Sequence, residues 1–482
     1  MLFNSLSFLI FLPTVLFLYR LLAKKYRWAM LLVASYYFYM SWNVKYALLI
    51  AFSTIVTYQS GILIEKVKTK KAKQIVVAVS FITNLAILVF YKYFNFFSES
   101  ISEVFHLFLI DINLPILDLL LPVGISFYTF QALSYTMDVY RNEIKAERHL
   151  GIYALFVSYF PQLVAGPIER SKNLLPQLRN LEGLCYANLR SGGLLVLWGF
   201  FKKLVIADKI SILIGTVYEN PAQYFGIEIF AAVILFSVQI YCDFSGYTDI
   251  ARGVARLMGV DLMKNFDSPY FSKSITEFWR RWHISLSTWF RDYLYIPLGG
   301  NRKGINRTYL NLLIVFVVSG LWHGASINFV IWGFLHGVLI VLEKIFPTKN
   351  DKLGAQDRLS YNTLKILLLN TFVIFLWIFF RADTFSDSIV IINNLFNWNA
   401  EDVFNGNLYN LGLSKGELWL SVFFIAVMLI VEYYNSFIMG VREMFLKQHY
   451  LFRLTFYVVI ILTILIFGTY GEEQKEFIYF QF

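Results

Sequence analysis

A succession of apolar runs constrains this chain more than any other feature, because most approach the length of about 20 residues that crosses a bilayer as a helix. The runs fall near residues 3 to 22, 28 to 41, 44 to 64, 74 to 94, 119 to 140, 190 to 216, 227 to 250, 307 to 327, 328 to 346, 362 to 381, 419 to 438 and 454 to 470. The second is the shortest. Lipid offers no hydrogen-bond partner to a bare peptide group, so runs of this length form helices. The expectation is an all-α polytopic membrane protein with about 11–12 transmembrane helices. With 58% of residues apolar and 15% charged, against about 25% charged in globular domains, a soluble enzyme is excluded. Phe3 to Leu22 has no basic segment before it and no small-residue cleavage site, which reads as a retained span. No internal repeat or Gly/Ser linker divides the chain, so residues 1–482 read as a single membrane domain.

Charge sets the expected orientation. Lys and Arg number 42 and Asp and Glu 32, leaving +10, which here points to anionic lipid and not to nucleic acid. If all twelve runs cross, one set of loops carries 30 basic residues and the opposite set carries only Lys415 and Lys475. Basic loops face the cytoplasm, so residues 65–73, 141–190 and 251–306 are predicted cytoplasmic and both termini outside. The longest outer loop, about 382 to 418, is below the roughly 40 residues of a self-supporting domain. The two cysteines, Cys185 and Cys242, make no disulfide framework.

Two predicted cytoplasmic stretches are too apolar for loops and too interrupted for spans. Gly151 to Pro167 ends in Phe160-Pro161-Gln162-Leu163-Val164-Ala165-Gly166-Pro167. Proline and glycine break a helix, and the freed backbone groups need protein or a water-filled cavity to satisfy them, so this segment reads as re-entrant. Ser274 to Gly300 opens with Ser274-Ile275-Thr276-Glu277, a capping-box pattern. Phe278, Trp279, Trp282, Leu286, Trp289, Phe290 and Tyr293 fall within about 120° on a helical wheel, opposite Arg280, Ser287 and Arg291. That pattern predicts one amphipathic helix, Ser274 to Tyr293, in the cytoplasmic interface. Simple anchoring explains it; so does a basic mouth of Arg280, Arg281 and Arg291, with Trp282 beside them, that binds a phosphorylated donor.

The chain has no Walker loop, no Rossmann fingerprint, no His-Glu-x-x-His zinc helix and no Asp-x-Asp pair, so neither a resident metal nor a tightly bound cofactor is expected. Arg281-Trp282 lacks the Gln of a glycan-synthase Gln-x-x-Arg-Trp motif, since position 278 is Phe. His323 and His336 lie in the most apolar region, in Ser319-Gly320-Leu321-Trp322-His323-Gly324 and Trp332-Gly333-Phe334-Leu335-His336-Gly337. An ionisable group at membrane depth is costly and marks function unless it bonds a neighbouring helix. Thirteen residues along one helix would separate the rings by about 20 Å, so they cooperate only if the chain folds back near Ser326 to Asn328. A neutral imidazole suits a general base that takes a proton from an attacking hydroxyl, as transfer from a thioester to an alcohol requires. Asp243, Ser245, Tyr247 and Asp249 close the run at 227 to 250, either as helix-end capping or as the lining of a polar tunnel.

At these residues the chain resembles the membrane-bound O-acyltransferase superfamily, in particular its alginate O-acetyltransferase branch. The resemblance rests on Leu121-Pro122-Val123-Gly124-Ile125-Ser126-Phe127-Tyr128-Thr129-Phe130-Gln131, on Phe160 to Pro167, on Asp243-Phe244-Ser245-Gly246-Tyr247, on Arg281 to Ser287 and on Leu321-Trp322-His323-Gly324. It implies a funnel-and-tunnel fold in a bacterial cytoplasmic membrane, with the family's histidines at His323 and His336. It further implies acetyl-CoA as the thioester donor, an exported polysaccharide as final acceptor, and an extracytoplasmic esterase-like acetyltransferase as partner. The aromatic tail Phe477 to Phe482 is similar to that of alginate-type members. D-alanyl transfer to teichoic acid and O-acetylation of peptidoglycan are the neighbouring activities of the superfamily. A polysaccharide exporter would share the spans, but transporters commonly show internal repeats and none is visible here; a synthase scaffold gives no use for two intramembrane histidines.

Overall fold

The computed structural model describes residues 1–112, 114–117, 121–164, 166–346, 355–398, 406–438, 440–471 and 477–480, and among them it is helical with no strand. Eight helices are long and apolar enough to cross a membrane: Tyr46–Lys66, Lys70–His106, Ile227–Leu257, Ile305–His323, Ile327–Ile345, Ser360–Arg381, Lys415–Phe437 and Tyr450–Phe467. The protein is therefore a multi-pass membrane protein. Four of the twelve apolar runs take other forms. Leu6–Leu21 has 16 residues, Lys24–Met40 has 17 and Ile125–Tyr140 has 16. The last starts late because Gly124 turns the chain at φ 73°, where a Cβ would lie 2.5 Å from the Leu163 carbonyl oxygen. The fourth run is split by a π-helical segment, Phe201–Ala207, between Tyr186–Phe200 and Asp208–Glu219. The run at 74 to 94 is instead extended: Lys70–Leu107 is 38 residues, about 57 Å long, so much of the expected loop at 95 to 118 is helix.

The chain forms two compact units, Met1–Gly193 with Ala251–Met263, and Leu194–Ile250 with Lys264–Phe482. In the first, the predicted broken segment is present as Leu150–Ser158 and Phe160–Leu163, interrupted at Tyr159. Protein groups satisfy the break: the Phe160 amide donates to Ser35 Oγ at 3.1 Å, and Gln162 Nε2 donates to Gln131 Oε1 and the Phe156 carbonyl, both at 3.0 Å. Ala165 lies outside the described residues. Beyond the break Glu169 is fully buried, accepting from the Met263 amide and from Asn173 Nδ2. Burial pushes its carboxyl up to about 7.

In the second unit, Ile305–His323 and Ile327–Ile345 form an antiparallel hairpin turned at Gly324–Ser326. The fold-back that the two histidines require is thus present. Glycines set its closeness, because a Cβ on Gly320 would lie 2.1 Å from the Phe329 carbonyl oxygen and one on Gly333 2.2 Å from that of Phe316. The predicted single helix from Ser274 to Tyr293 is not continuous. Ser274 caps Ile275–Arg281 by accepting from the Glu277 amide, but Trp282 is extended and His283 is left-handed at φ 43°, before Ile284–Phe290 and a π-turn at Arg291–Tyr295. The wheel of aromatics is therefore divided between two short helices.

Two outcomes test these features. Gly333→Val should destabilise the fold by about 3 kcal/mol through overpacking, seen as a lower melting temperature in detergent, with Gly337→Ala much milder. Because Glu169 has a raised folded-state value, protonation favours the fold; its burial costs nothing below about pH 4.5 and progressively more as pH rises through about 7. Glu169→Gln should raise the melting temperature at pH 8 and leave it nearly unchanged at about pH 4.

Candidate functional site

The hairpin brings His323 and His336 against one indole. The Trp332 ring lies 5.0 Å from His323 and 4.8 Å from His336, edge-on to both. Both histidines are buried. Trp279 Nε1 donates to His336 Nδ1 at 3.3 Å, which fixes the His336 proton on Nε2. That Nε2 is buried with no hydrogen-bond partner among the described residues. His323, the last residue of its helix, is enclosed by Trp322, Trp332, Phe380 and Tyr479, with ring centroids 5.0 to 5.5 Å away.

Two cavities flank this position along the hairpin. A mostly apolar one of about 270 Å³ is lined by Leu312, Phe316 and Ser319 on the His323 helix, by Trp279, and by Arg280, Arg291 and Lys344. A larger, polar one of about 540 Å³ begins at Gly324, Ala325 and Ser326 and includes Glu219, Gln239, Arg381 and Asp383. Ser319 precedes His323 by one helical turn and Gly324 follows it directly, so along the chain the histidine falls between residues of the two linings while lining neither cavity itself.

The four predicted donor-site residues part company. Arg280 and Arg291 line the first cavity; Arg291 Nε also contacts Asp292 at 2.7 Å. Arg281 is not in that lining; it pairs with Glu277 at 2.7 Å and donates to Ser436 Oγ at 3.2 Å. Trp282 is fully buried, stacked on Phe278 at 5.5 Å and against Trp377 at 5.0 Å. Both hold the broken segment in place. Lys344 adds a third cation that sequence inspection missed, since it reads as an ordinary positive helix end.

Asp243, Ser245, Tyr247 and Asp249 do come together, but around two buried lysines. Lys203 Nζ lies 2.8 Å from both Asp208 and Asp243 and 5.4 Å from the Tyr247 ring centroid. Lys202 Nζ lies 2.7 Å from Asp249 and donates to Ser245 Oγ at 2.9 Å. The approach needs Gly199 against Gly246, where a Cβ on Gly199 would lie 2.5 Å from the Gly246 oxygen. Lys202 and Lys203, adjacent in the middle of the apolar run at 190 to 216, were the available signal. The second Asp243 oxygen accepts the Ile478 amide at 2.8 Å. This bond fixes the segment 477–480, whose Phe477 is buried and whose Tyr479 ring rests 5.5 Å from His323 and 6.3 Å from His283. His283, carried in the Arg281 to Ser287 motif, is thereby a third histidine at the site.

Residues 9–380 match the membrane-bound O-acyltransferase family. The chain is 38% identical over 442 residues to a probable alginate O-acetylase of Pseudomonas aeruginosa, covering 90% of this chain and 83% of that one. It is 34% identical to a peptidoglycan O-acetyltransferase of Helicobacter pylori, covering 77% and 74%. To a teichoic acid D-alanyltransferase of Bacillus subtilis it is 29% identical, covering 48% and 60%.

Asp243→Ala should release segment 477–480 and leave Lys203 with one carboxylate, at a cost of about 3 kcal/mol. Hydrogen exchange read by mass spectrometry should show faster exchange at Ile478, and unchanged exchange there would refute the anchoring role.

Proposed function

The chain belongs to the membrane-bound O-acyltransferase family and is an acyltransferase, and from that premise we propose that it moves acetyl groups from cytoplasmic acetyl-CoA across a bacterial inner membrane for O-acetylation of an exported polysaccharide. The observation that carries this reading is a buried His323 on a helix that helps line a cavity holding three cations and that is followed directly by the residues of a polar cavity. A volume near 270 Å³ suits the acyl-thioester end of the donor and leaves its phosphates at the rim with Arg280, Arg291 and Lys344. Guanidinium groups match phosphate oxygens in charge and shape.

His323 then accepts the proton of the acceptor hydroxyl as the oxygen attacks the thioester carbonyl, and returns it to the departing thiol. His336 orients the indole between the two histidines. Acetyl transfer is favoured over D-alanyl transfer because similarity to the alginate O-acetylase extends over 90% of this chain, and to the D-alanyltransferase over 48%. In the predicted orientation the outer loops are too short for a domain of their own, so placing the group on the polymer falls to another protein, which the family resemblance implies is an extracytoplasmic esterase-like acetyltransferase.

Liposomes loaded with radiolabelled acetyl-CoA provide the test. His323→Ala should reduce transfer at least about 100-fold with normal folded yield, and His336→Ala should leave partial activity. Arg280→Glu with Arg291→Glu should raise the donor KM and its salt sensitivity. Wild-type rates in His323→Ala refute the mechanism; label on external polysaccharide with no second protein removes the partner.

A further inference from the structure

The helix Lys70–Leu107 is longer than the bilayer it crosses. From Ile75, about 20 residues suffice for the hydrocarbon core, which ends the span near Phe94. With no Pro or Gly to kink it, the helix runs on over residues 95–107 for about 20 Å. That end is opposite Lys70, Lys71 and Lys73, and therefore outside in the predicted orientation.

Along this helix Phe90, Phe94, Phe97, Ile101, Val104 and Phe108 follow one another at intervals of 4, 3, 4, 3 and 4 residues, the heptad spacing at which two helices interdigitate along one seam. Phe90, Phe97, Ile101, Val104 and Phe108 are exposed. Beside the seam, Asn95 Nδ2 donates to the Leu117 carbonyl and Asn95 Oδ1 accepts the Leu117 amide, both at 2.9 Å. This double bond to the backbone holds Leu114 and Pro115 as one wall of an apolar groove of about 510 Å³ whose floor includes Phe90, Phe94, Phe97 and Ile101.

The placement of charge decides what covers the seam. The flanking positions carry Tyr91, Ser98 and Phe105 on one side and Tyr93 and Ser100 on the other, all uncharged. Glu99 and Glu103 fall on the outward positions, and both are exposed. A partner recognised by opposite charge would need the acids at the flanks, where ion pairs across a seam form. Two identical seams instead need neutral flanks, because each copy meets its own charges and like charges repel. A lipid surface fits less well: no Lys or Arg lies between Lys92 and Arg141, whereas helices that rest on anionic lipid have basic polar faces.

We propose that the stripe from Phe90 to Phe108 is the docking surface for a second copy of this chain. Copies inserted in one membrane share an orientation, so the two helices run parallel about a two-fold axis along the membrane normal and each seam residue meets its own counterpart. The groove beside each seam receives aromatic side chains of the other copy. This surface is remote in sequence from the histidines and does not depend on the acyl-transfer reading.

Disulfide scanning in native membranes tests the pairing and its register. Cys185, which is exposed, is first replaced by Ser; Cys242 is buried and stays. Cysteines bridge only where their Cα atoms come within about 7 Å. Oxidation should therefore convert most of Ile101→Cys and of Val104→Cys to a species of twice the 56.2 kDa chain mass, and leave Glu99→Cys and Glu103→Cys monomeric. Adding Ile101→Glu to Val104→Cys should abolish the bridge, because it sets two carboxylates face to face in the seam. Absence of bridging at positions 101 and 104 overturns the proposal, and so does equal bridging at all four positions, which marks random collision. A benzophenone side chain at position 104 identifies any other occupant. A photoadduct of twice the chain mass is expected; an adduct with a protein of different mass, or with lipid alone, overturns the assignment to a second copy.

Discussion

The approach of two glycines sets the geometry on which the site depends. Gly320 and Gly333 let the helices Ile305–His323 and Ile327–Ile345 meet backbone to backbone. At that spacing the indole of Trp332 meets both His323 and His336 edge-on. Small residues serve helix contacts in membranes because lipid supplies no hydrophobic drive between helices and close dispersion contact must replace it. A larger side chain at either position would separate the strands of the hairpin and with them the two imidazoles.

Around that hairpin, polar groups are used sparingly, and single atoms serve several partners. Asn265 spends one side-chain oxygen on His283, the Ser285 amide and the Ser285 hydroxyl. Asp243 divides its two oxygens between a lysine and a backbone amide. Low dielectric makes such bonds strong when every member is matched and costly when one is missing, which favours a rigid cage over an adaptable one. A rigid cage keeps a general base within hydrogen-bond reach of its substrate.

Hydropathy made most of the fold legible, because a run such as Tyr450–Phe467 has only one way to satisfy its backbone in lipid. The histidines His323 and His336 were legible for the complementary reason, as polar groups in the wrong solvent. Lys202 and Lys203 obey the same logic, yet averaging over the long apolar run hid them. The break at Trp282–His283 had no local mark, since neither residue is Gly or Pro; it is imposed by Asn265, remote in sequence. Tyr479 was equally out of reach, because what brings it to His323 is the Ile478 amide on Asp243, 235 positions away. Periodicity encodes which face is apolar; it carries no information about a partner supplied by another part of the chain.

The paired lysines also bear on how the protein enters its membrane. A lysine at the centre of a helix costs about 2.5–3.5 kcal/mol at the insertion step, and Lys202 and Lys203 are translated before Asp208, Asp243 and Asp249 that neutralise them. The run containing them is therefore poorly suited to partition alone into lipid. It gains by waiting, at the insertion machinery or at the interface, until Ile227–Leu257 arrives with its carboxylates and the two enter as a neutralised pair. Asp243 receives its last partner only when Ile478 has been made. A chain that stalls before that point would hold both histidines of the hairpin in the bilayer without the closing wall of their pocket, so the site is complete only after residue 478 has been made.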